Sequence, residues 1–390
     1  MTTKRIYLDH NATAPVRPEA AAAVAHALTL TGNPSSVHGE GRRALALIEG
    51  ARAEVASLVG AKTNEVIFTS GGTEAANLAL HLAKTSLGIE RLIISAIEHD
   101  CIRAPALASG LPLDILPVDA NGVADLAALE ALLAKPGKAL VALMHANNET
   151  GVIQPVSEAA TLAHAAGALL LADTIQTAGR LSVDMKALGA DMILLSAHKL
   201  GGPQGVGALV IRASLPFESF IKGGGQEKRR RAGTENLSGI AGFGVAARLV
   251  RDENMSADLR DYMEAELRRA VPDISIFGAH APRLANTSLF AASGLASETL
   301  IVALDLDRLA VSAGSACSSG KVARSHVLSA MGVSDDLAGA AIRVSLGRET
   351  TKEDIDHLVT SWTRYVKRAS DKVKNTNTGA SSPALAEVEH

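Results

Sequence analysis

LLLADTIQTAGRLSVDMKALGADMILLSAHKLGGPQGVGALVI, residues 169–211, holds three short apolar runs, 169–173, 192–196 and 207–211, set between polar and glycine-rich stretches. Working outward, four more such runs occur at 65–70, 91–96, 113–118 and 139–145, with Ala- and Leu-rich helical stretches between them. Alternation of this kind is the signature of repeated strand–helix units and a mostly parallel sheet. The spacing predicts an α/β fold whose large domain carries a seven-stranded sheet, a common size for an open sheet. Glycine-rich 222–233 ends the alternation and helical patterns follow over 236–270. Beyond them, strand-like runs at 285–290 and 309–312 and a helical 353–367 suit a smaller α+β C-terminal domain. The expected organisation is a large domain over 15–255, a small one from 1–14 and 256–368, and a polar, aperiodic tail over 369–390 read as disordered.

A chain of 390 residues, 47% hydrophobic and 20% charged, has the balance of a folded two-domain protein. Its formal net charge of −3 offers no general attraction for nucleic acid or acidic lipid. The basic cluster KRRR at 228–231 is local and lacks interleaved aromatics, so it points only weakly to nucleic acid. No signal-peptide core and no membrane-length apolar run occur, and a soluble cytoplasmic enzyme is expected. Two cysteines, Cys101 and Cys317, are too few for a disulfide framework or a four-thiolate metal site.

Polar residues cluster just after the apolar runs, where parallel sheets bind ligands at the carboxyl ends of their strands. FTSGGTEAANLAL at 68–80 passes through two glycines into a helix, so its backbone N–H groups can hold a phosphate, although from the segment alone an ordinary Gly-rich turn with Thr73 as a cap is the favoured reading. Asp173 ends a strand where a carboxylate needs a partner: a cationic ring nitrogen is one, and a helix cap is as good a reading from the segment alone. Lys199, at the end of the next run, can condense with an aldehyde, and the adjoining Ser196 and His198 can bind the same phosphate. His99 can stack on a ring and move protons near neutrality, against the commoner reading of a structural histidine. Cys101 reads as a small buried side chain. Cys317 lies among Ser and Gly in VSAGSACSSGK at 311–321, a setting for an exposed, moving nucleophile, with Lys321 near enough in sequence to favour its thiolate. Arg343 can grip a carboxylate with two N–H groups or form a surface salt bridge, and spacing does not choose.

YLDHNATAPV, NPSSVH, FTSGGTEAANLA, EHDCI, HANNETGVIQP, ADTIQTAG, SAHKLGGPQGVGA, GGGQEKRRRAGTEN, SAGSACSSG and IRVSLGR follow one another in order across residues 7–348. Together they resemble the cysteine desulfurases, within the class V aminotransferase group, and especially the branch serving iron–sulfur cluster assembly and nitrogen fixation. The resemblance implies fold type I of the pyridoxal 5'-phosphate transferases, a homodimer, and conversion of L-cysteine to L-alanine with the sulfur carried as a persulfide on Cys317. It implies Lys199 as the lysine that anchors the cofactor, and Cys317, Lys199 and His99 as the catalytic set. Gly72, Thr73, Ser196 and His198 would hold the phosphate, joined by Thr234 of the partner subunit. Asp173 would face the ring nitrogen, Gln176 the ring hydroxyl, and Asn148 both cofactor and substrate, with Arg343 on the substrate carboxylate. It implies no resident metal, beyond a cluster that Cys317 could share transiently with a scaffold partner. The sulfur would pass to an acceptor protein such as an iron–sulfur scaffold. A selenocysteine lyase, another class V enzyme and a non-catalytic sulfur-assembly scaffold are the alternatives. Gly201, Gln204 and Arg229 depart from what relatives commonly carry, which bears on loop shape and the dimer contact.

Overall fold

The computed structural model describes residues 4–250, 256–314 and 324–378. Cys317 and Lys321 lie outside the described residues, as do 379–390. The chain opens with a two-residue strand, β1 (Ile6–Tyr7), and two helices, α1 (Pro18–Leu28) and α2 (Gly39–Leu58). Seven strands then follow: β2 (Val66–Thr69), β3 (Arg91–Ser95), β4 (Leu113–Leu116), β5 (Ala139–Met144), β6 (Leu169–Asp173), β7 (Met192–Ser196) and β8 (Gly207–Ile211). Helices α3 (Gly72–Thr85), α4 (Asp100–Ala108), α5 (Leu126–Leu133) and α6 (Val156–Ala165) separate the first five of them.

All seven expected strands are present in one sheet, ordered β2-β8-β7-β6-β5-β3-β4. Only β8 runs antiparallel to its neighbours, β2 and β7; the other pairings are parallel. Because successive strand residues face opposite sides, the apolar runs feed two cores at once. Ile93, Val141, Leu143, Leu170, Ile193, Leu195 and Val210 face the side covered by α2, α6 and the helix Leu237–Val250. Leu92, Ile94, Leu140, Leu171, Leu194 and Leu209 face α3 and α4. Burying each such side chain fully is worth about 1.5–3 kcal/mol, which is why continuous apolar runs, and not alternating ones, mark this sheet.

The C-terminal part holds a second sheet, antiparallel, ordered β12-β13-β10-β9, from β9 (Ser275–Ile276), β10 (Thr287–Ala291), β12 (Ser312–Ala313) and β13 (Ile342–Ser345). The run expected at 309–312 is in fact two short strands: β11 (Leu309–Ala310) pairs with β1, while β12 joins the second sheet. This pairing carries Ile6 and Leu8 into a core with Phe290, Val344 and fully buried Trp362, whose ring meets Phe290 edge-on at 5.4 Å. The last helix spans Lys352–Thr378, so residues 369–378, expected to begin a disordered tail, are helical. The register of Ile355, Leu358, Trp362 and Val366 against that core fixes its direction, and the helix runs on past the contact. Residues 236–270, read as one helical region, form Leu237–Val250 and Asp258–Ala270.

Two of the unusual positions have local causes. Gly201 has φ +78°, and a Cβ there would come 2.9 Å from Cγ of Arg17, whose N–H donates to the Gly201 carbonyl. Arg229 ends three consecutive left-handed residues, Glu227, Lys228 and Arg229, with φ of 46°, 57° and 66°. Such a run is unfavourable for side-chain-bearing residues by roughly 1–2 kcal/mol each. It is held by the buried Glu227 carboxylate, which accepts from both Nη of Arg52 at 2.7 and 2.9 Å and from the Phe68 N–H at 3.0 Å. Two of the four basic residues of the cluster are occupied: Arg231 pairs with Glu74 and Arg230 donates to the carbonyls of Asn64 and Val66.

Candidate active site

At the carboxyl ends of β5, β6 and β7 lies a cavity of about 370 Å³. Gly72, Thr73, His99, Asn148, Asp173, Gln176, Ser196, His198, Lys199 and Arg343 all line it, as do Asn11, Ala12 and Cys101. Of the described residues expected at the site, only Thr234 is elsewhere in this chain, near Phe68, Thr69 and Arg231.

One wall is made where strands end. Helix α3 starts at Gly72 after Gly71, whose lack of a side chain leaves the first turn without a side-chain cap. A Cβ on Gly72 would fall 2.4 Å from Cδ1 of Ile175, so glycine lets the helix start approach the turn after β6. Ser196 ends β7, and the single 3₁₀ turn Ala197–Lys199 swings His198 and Lys199 to the same side. His198 Nδ1 lies 2.6 Å from the Thr13 hydroxyl, and burial with Lys199 nearby lowers its pKa to about 4, leaving a neutral imidazole. Lys199 Nζ donates to the carbonyls of Asn11 and Ala12 at 2.6 and 2.8 Å.

Asp173 is 7% exposed, and its Oδ1 accepts from the Ile175 N–H at 2.9 Å. Burial pushes its pKa up to about 6, against the pull of that N–H and of Lys199. His99 caps α4, its Nδ1 accepting from the Cys101 N–H at 3.0 Å, and burial followed by Lys199 lowers its pKa. Gln176 donates to the Asn11 carbonyl and accepts from Arg180. Cys101 is buried as expected, and burial and the carboxylates around it push its thiol pKa far up.

The opposite wall comes from the N-terminal segment and the second sheet. Arg343 on β13 is 2% exposed, so its ion pair is not the surface kind. Its Nη2 donates to Asp9 at 2.7 Å and its Nη1 to the Asn148 carbonyl at 3.2 Å, while its buried Nε has no hydrogen-bond partner among the described residues. Asp9 also accepts from the Ser312 hydroxyl at 2.8 Å. Sequence reasoning assigned nothing to Asn11, Ala12 or Thr13. They stand inside YLDHNATAPV, but two of them act through main-chain carbonyls, which no residue type announces.

These residues fit pyridoxal phosphate. The uncapped start of α3 with Thr73, Ser196 and His198 beside it offers N–H and hydroxyl donors and a positive dipole end to a phosphate. Asp173, destabilised as an anion by burial, is matched by a protonated ring nitrogen. An amine, Lys199, shares the cavity with both.

Residues 6–358 match the aminotransferase class-V family. A cysteine desulfurase of Cereibacter sphaeroides is 42% identical over 365 residues, covering 91% of this chain and 94% of its own. The cysteine desulfurase IscS of Dictyoglomus turgidum is 39% identical over 376 residues, with 94% and 95% covered. Among solved structures, a NifS-like protein from Rickettsia africae superposes with a TM-score of 0.86 at 34% identity, covering 93% of this chain and all of its own.

Proposed function

We propose, for a chain that belongs to the aminotransferase class-V family and to its cysteine desulfurases, a pyridoxal-phosphate enzyme that takes sulfur from L-cysteine and leaves L-alanine, with Cys317 as the sulfur carrier. One observation carries the reading: Lys199 and Asp173, on turns after the adjacent strands β7 and β6, open into one cavity at the start of α3.

When bound, pyridoxal phosphate supplies an aldehyde for amines and a ring that accepts electron density from the substrate Cα. The chain's residues divide the rest. Thr73, Ser196 and His198 hold the phosphate, with Thr234 of the partner subunit completing the cradle in a homodimer. Asp173 keeps a proton on the ring nitrogen. His99 would stack on the ring, Gln176 would meet its hydroxyl, and Asn148 would serve both cofactor and substrate. Arg343 orients the substrate carboxylate, a reading supported by its place in the cavity lining and by the fork of N–H donors that a guanidinium offers a carboxylate. Lys199 takes the Cα proton, since its amine lies in the cavity with Asp173 and His99. The Cys317 thiolate forms a bond to the substrate sulfur while the carbon–sulfur bond breaks. That electron pair stays on carbon, which takes up a proton and leaves as L-alanine.

The persulfide then passes to an acceptor protein: an iron–sulfur scaffold, a tRNA-thiolating enzyme or a nitrogen-fixation protein. No helix among the described residues is long and apolar enough to cross a membrane, which accords with work in the cytoplasm. The test is Cys317→Ala. It is expected to keep the yellow cofactor and its spectral response to L-cysteine, yet to transfer no sulfur; sulfur delivery at the normal rate overturns the assignment. Offering L-selenocysteine to the wild type and measuring selenide against sulfide separates a selenocysteine lyase from a desulfurase.

A further inference from the structure

The turn HANNETG, residues 145–151, carries a buried carboxyl that the reaction above does not use. Glu149 is 4% exposed. Its Oε2 accepts from the Ser325 hydroxyl at 2.6 Å, and a Cβ on Gly314 would come 3.0 Å from the same oxygen. Gly314 and Ser325 stand on either side of the stretch that includes Cys317. One carboxyl therefore hydrogen-bonds the chain where it returns and leaves little room for a side chain where it leaves the second sheet after β12.

The contact on the return side is built into a helix. The Ser325 hydroxyl that donates to Glu149 also accepts from the Leu328 N–H at 3.1 Å, capping His326–Ala330. The next residue, His326, meets the Glu98 carbonyl through Nε2 at 2.9 Å, one residue before His99. On its own side, Glu149 is fixed by Asn147, whose Oδ1 accepts from the N–H groups of Glu149 and Thr150 at 2.9 Å each and whose Nδ2 donates to the Ile97 carbonyl. Asn148, between them, gives its carbonyl to Arg343. A single rigid turn thus holds Arg343 with one residue and the roots of the Cys317 stretch with the next. Burial raises the Glu149 pKa to about 7; the Ser325 hydroxyl and Arg343 oppose that rise and Asp100 adds to it.

We infer that Glu149 is a positioning residue for Cys317, fixing through Ser325 and Gly314 the points from which the thiol reaches a substrate held on Arg343. The inference rests on Cys317 as the sulfur carrier. Losing a hydrogen bond to a buried carboxyl leaves a buried polar group unsatisfied, which is enough to change a rate about tenfold. In the holoenzyme, Glu149→Met, which removes the acceptor, and Ser325→Ala are each expected to slow persulfide formation about tenfold while the spectral titration with L-cysteine keeps its midpoint within about twofold. The double variant is expected to be no slower than the slower single one, because the Glu149–Ser325 link is already lost in each. Iodoacetamide labelling of Cys317, followed by peptide mapping without substrate, is expected to change by a similar factor, and Ser325→Thr to restore it. Wild-type rates of persulfide formation and labelling in both single variants overturn the inference, as does a loss that appears only in the substrate titration. Persulfide formation by Cys317→Ala, run alongside, would instead overturn the carrier assignment.

Discussion

The two walls of the cavity treat buried charge in opposite ways. On the strand-end wall, Asp173 faces inward with a main-chain N–H on its carboxylate, and burial lifts its pKa to about 6. On the facing wall, Arg343 arrives already paired with Asp9 and the Asn148 carbonyl, its buried Nε having no partner among the described residues. A charge left short of partners suits a resident that supplies the opposite charge permanently. A charge mostly satisfied by the protein suits a visitor that must bind and leave, since an unpaired guanidinium would be costly each time the site emptied.

That contrast is broken most directly at Asp173. Asp173→Asn is expected to lower kcat for alanine formation by roughly 10²-fold or more and to change the cofactor's absorbance, with a smaller effect on KM. The same residue gives a sign for pH. With a folded pKa above the ordinary 3.8, the folded apoprotein holds this proton more tightly than the unfolded chain does. Its contribution to stability is therefore full below about pH 4 and lost as pH rises through about 6, a change of roughly 2–3 kcal/mol at about 1.4 kcal/mol per unit. Denaturant midpoints of the cofactor-free protein should show this slope in wild type and a shallower one in Asp173→Asn. Equal slopes would mean that the carboxylate already has its counter-charge.

Arg343→Gln sharpens the other half. It is expected to raise KM for L-cysteine about 10- to 100-fold, the range for losing a hydrogen bond to a charged group, and to leave the cofactor spectrum unchanged. A spectrum that moves as much as it does in Asp173→Asn would erase the distinction between resident and visitor. The smallest effect belongs to Thr13→Ala, which frees His198 Nδ1 from its 2.6 Å contact. Cofactor affinity, measured by fluorescence titration of the apoprotein, should fall a few-fold, in keeping with about 1 kcal/mol for one neutral hydrogen bond.

The strand-end wall was legible from the apolar runs, whereas the facing wall was signalled only through the resemblance that named Arg343, for a physical reason. Thr73, Asp173, Ser196, His198 and Lys199 each follow an apolar run, and a parallel sheet brings such positions to one edge whatever the strand order. The three strands β6, β7 and β8 could be read to the residue because continuous apolar runs end abruptly at polar ones. Arg343 and Asp9 meet across 334 residues, and nothing local to either announces the other. The carbonyls of Asn11 and Ala12 that hold Lys199 belong to the backbone and leave no compositional trace. Glu149 sits in a motif quoted for its resemblance, yet its partner, Ser325, is 176 positions away. The last helix outran its expected end because residues past the packed face need only their own hydrogen bonds to continue it.

The left-handed turn at Glu227–Arg229 shapes a part of the molecule that neither wall contains. It sits a few residues before Thr234, and its geometry is clamped from α2 by Arg52. The heading of the chain from there towards Thr234 is therefore written in main-chain chirality and locked from a distant helix. In the proposed homodimer, the angle at which Thr234 approaches the neighbouring cavity would be set before the subunits ever meet.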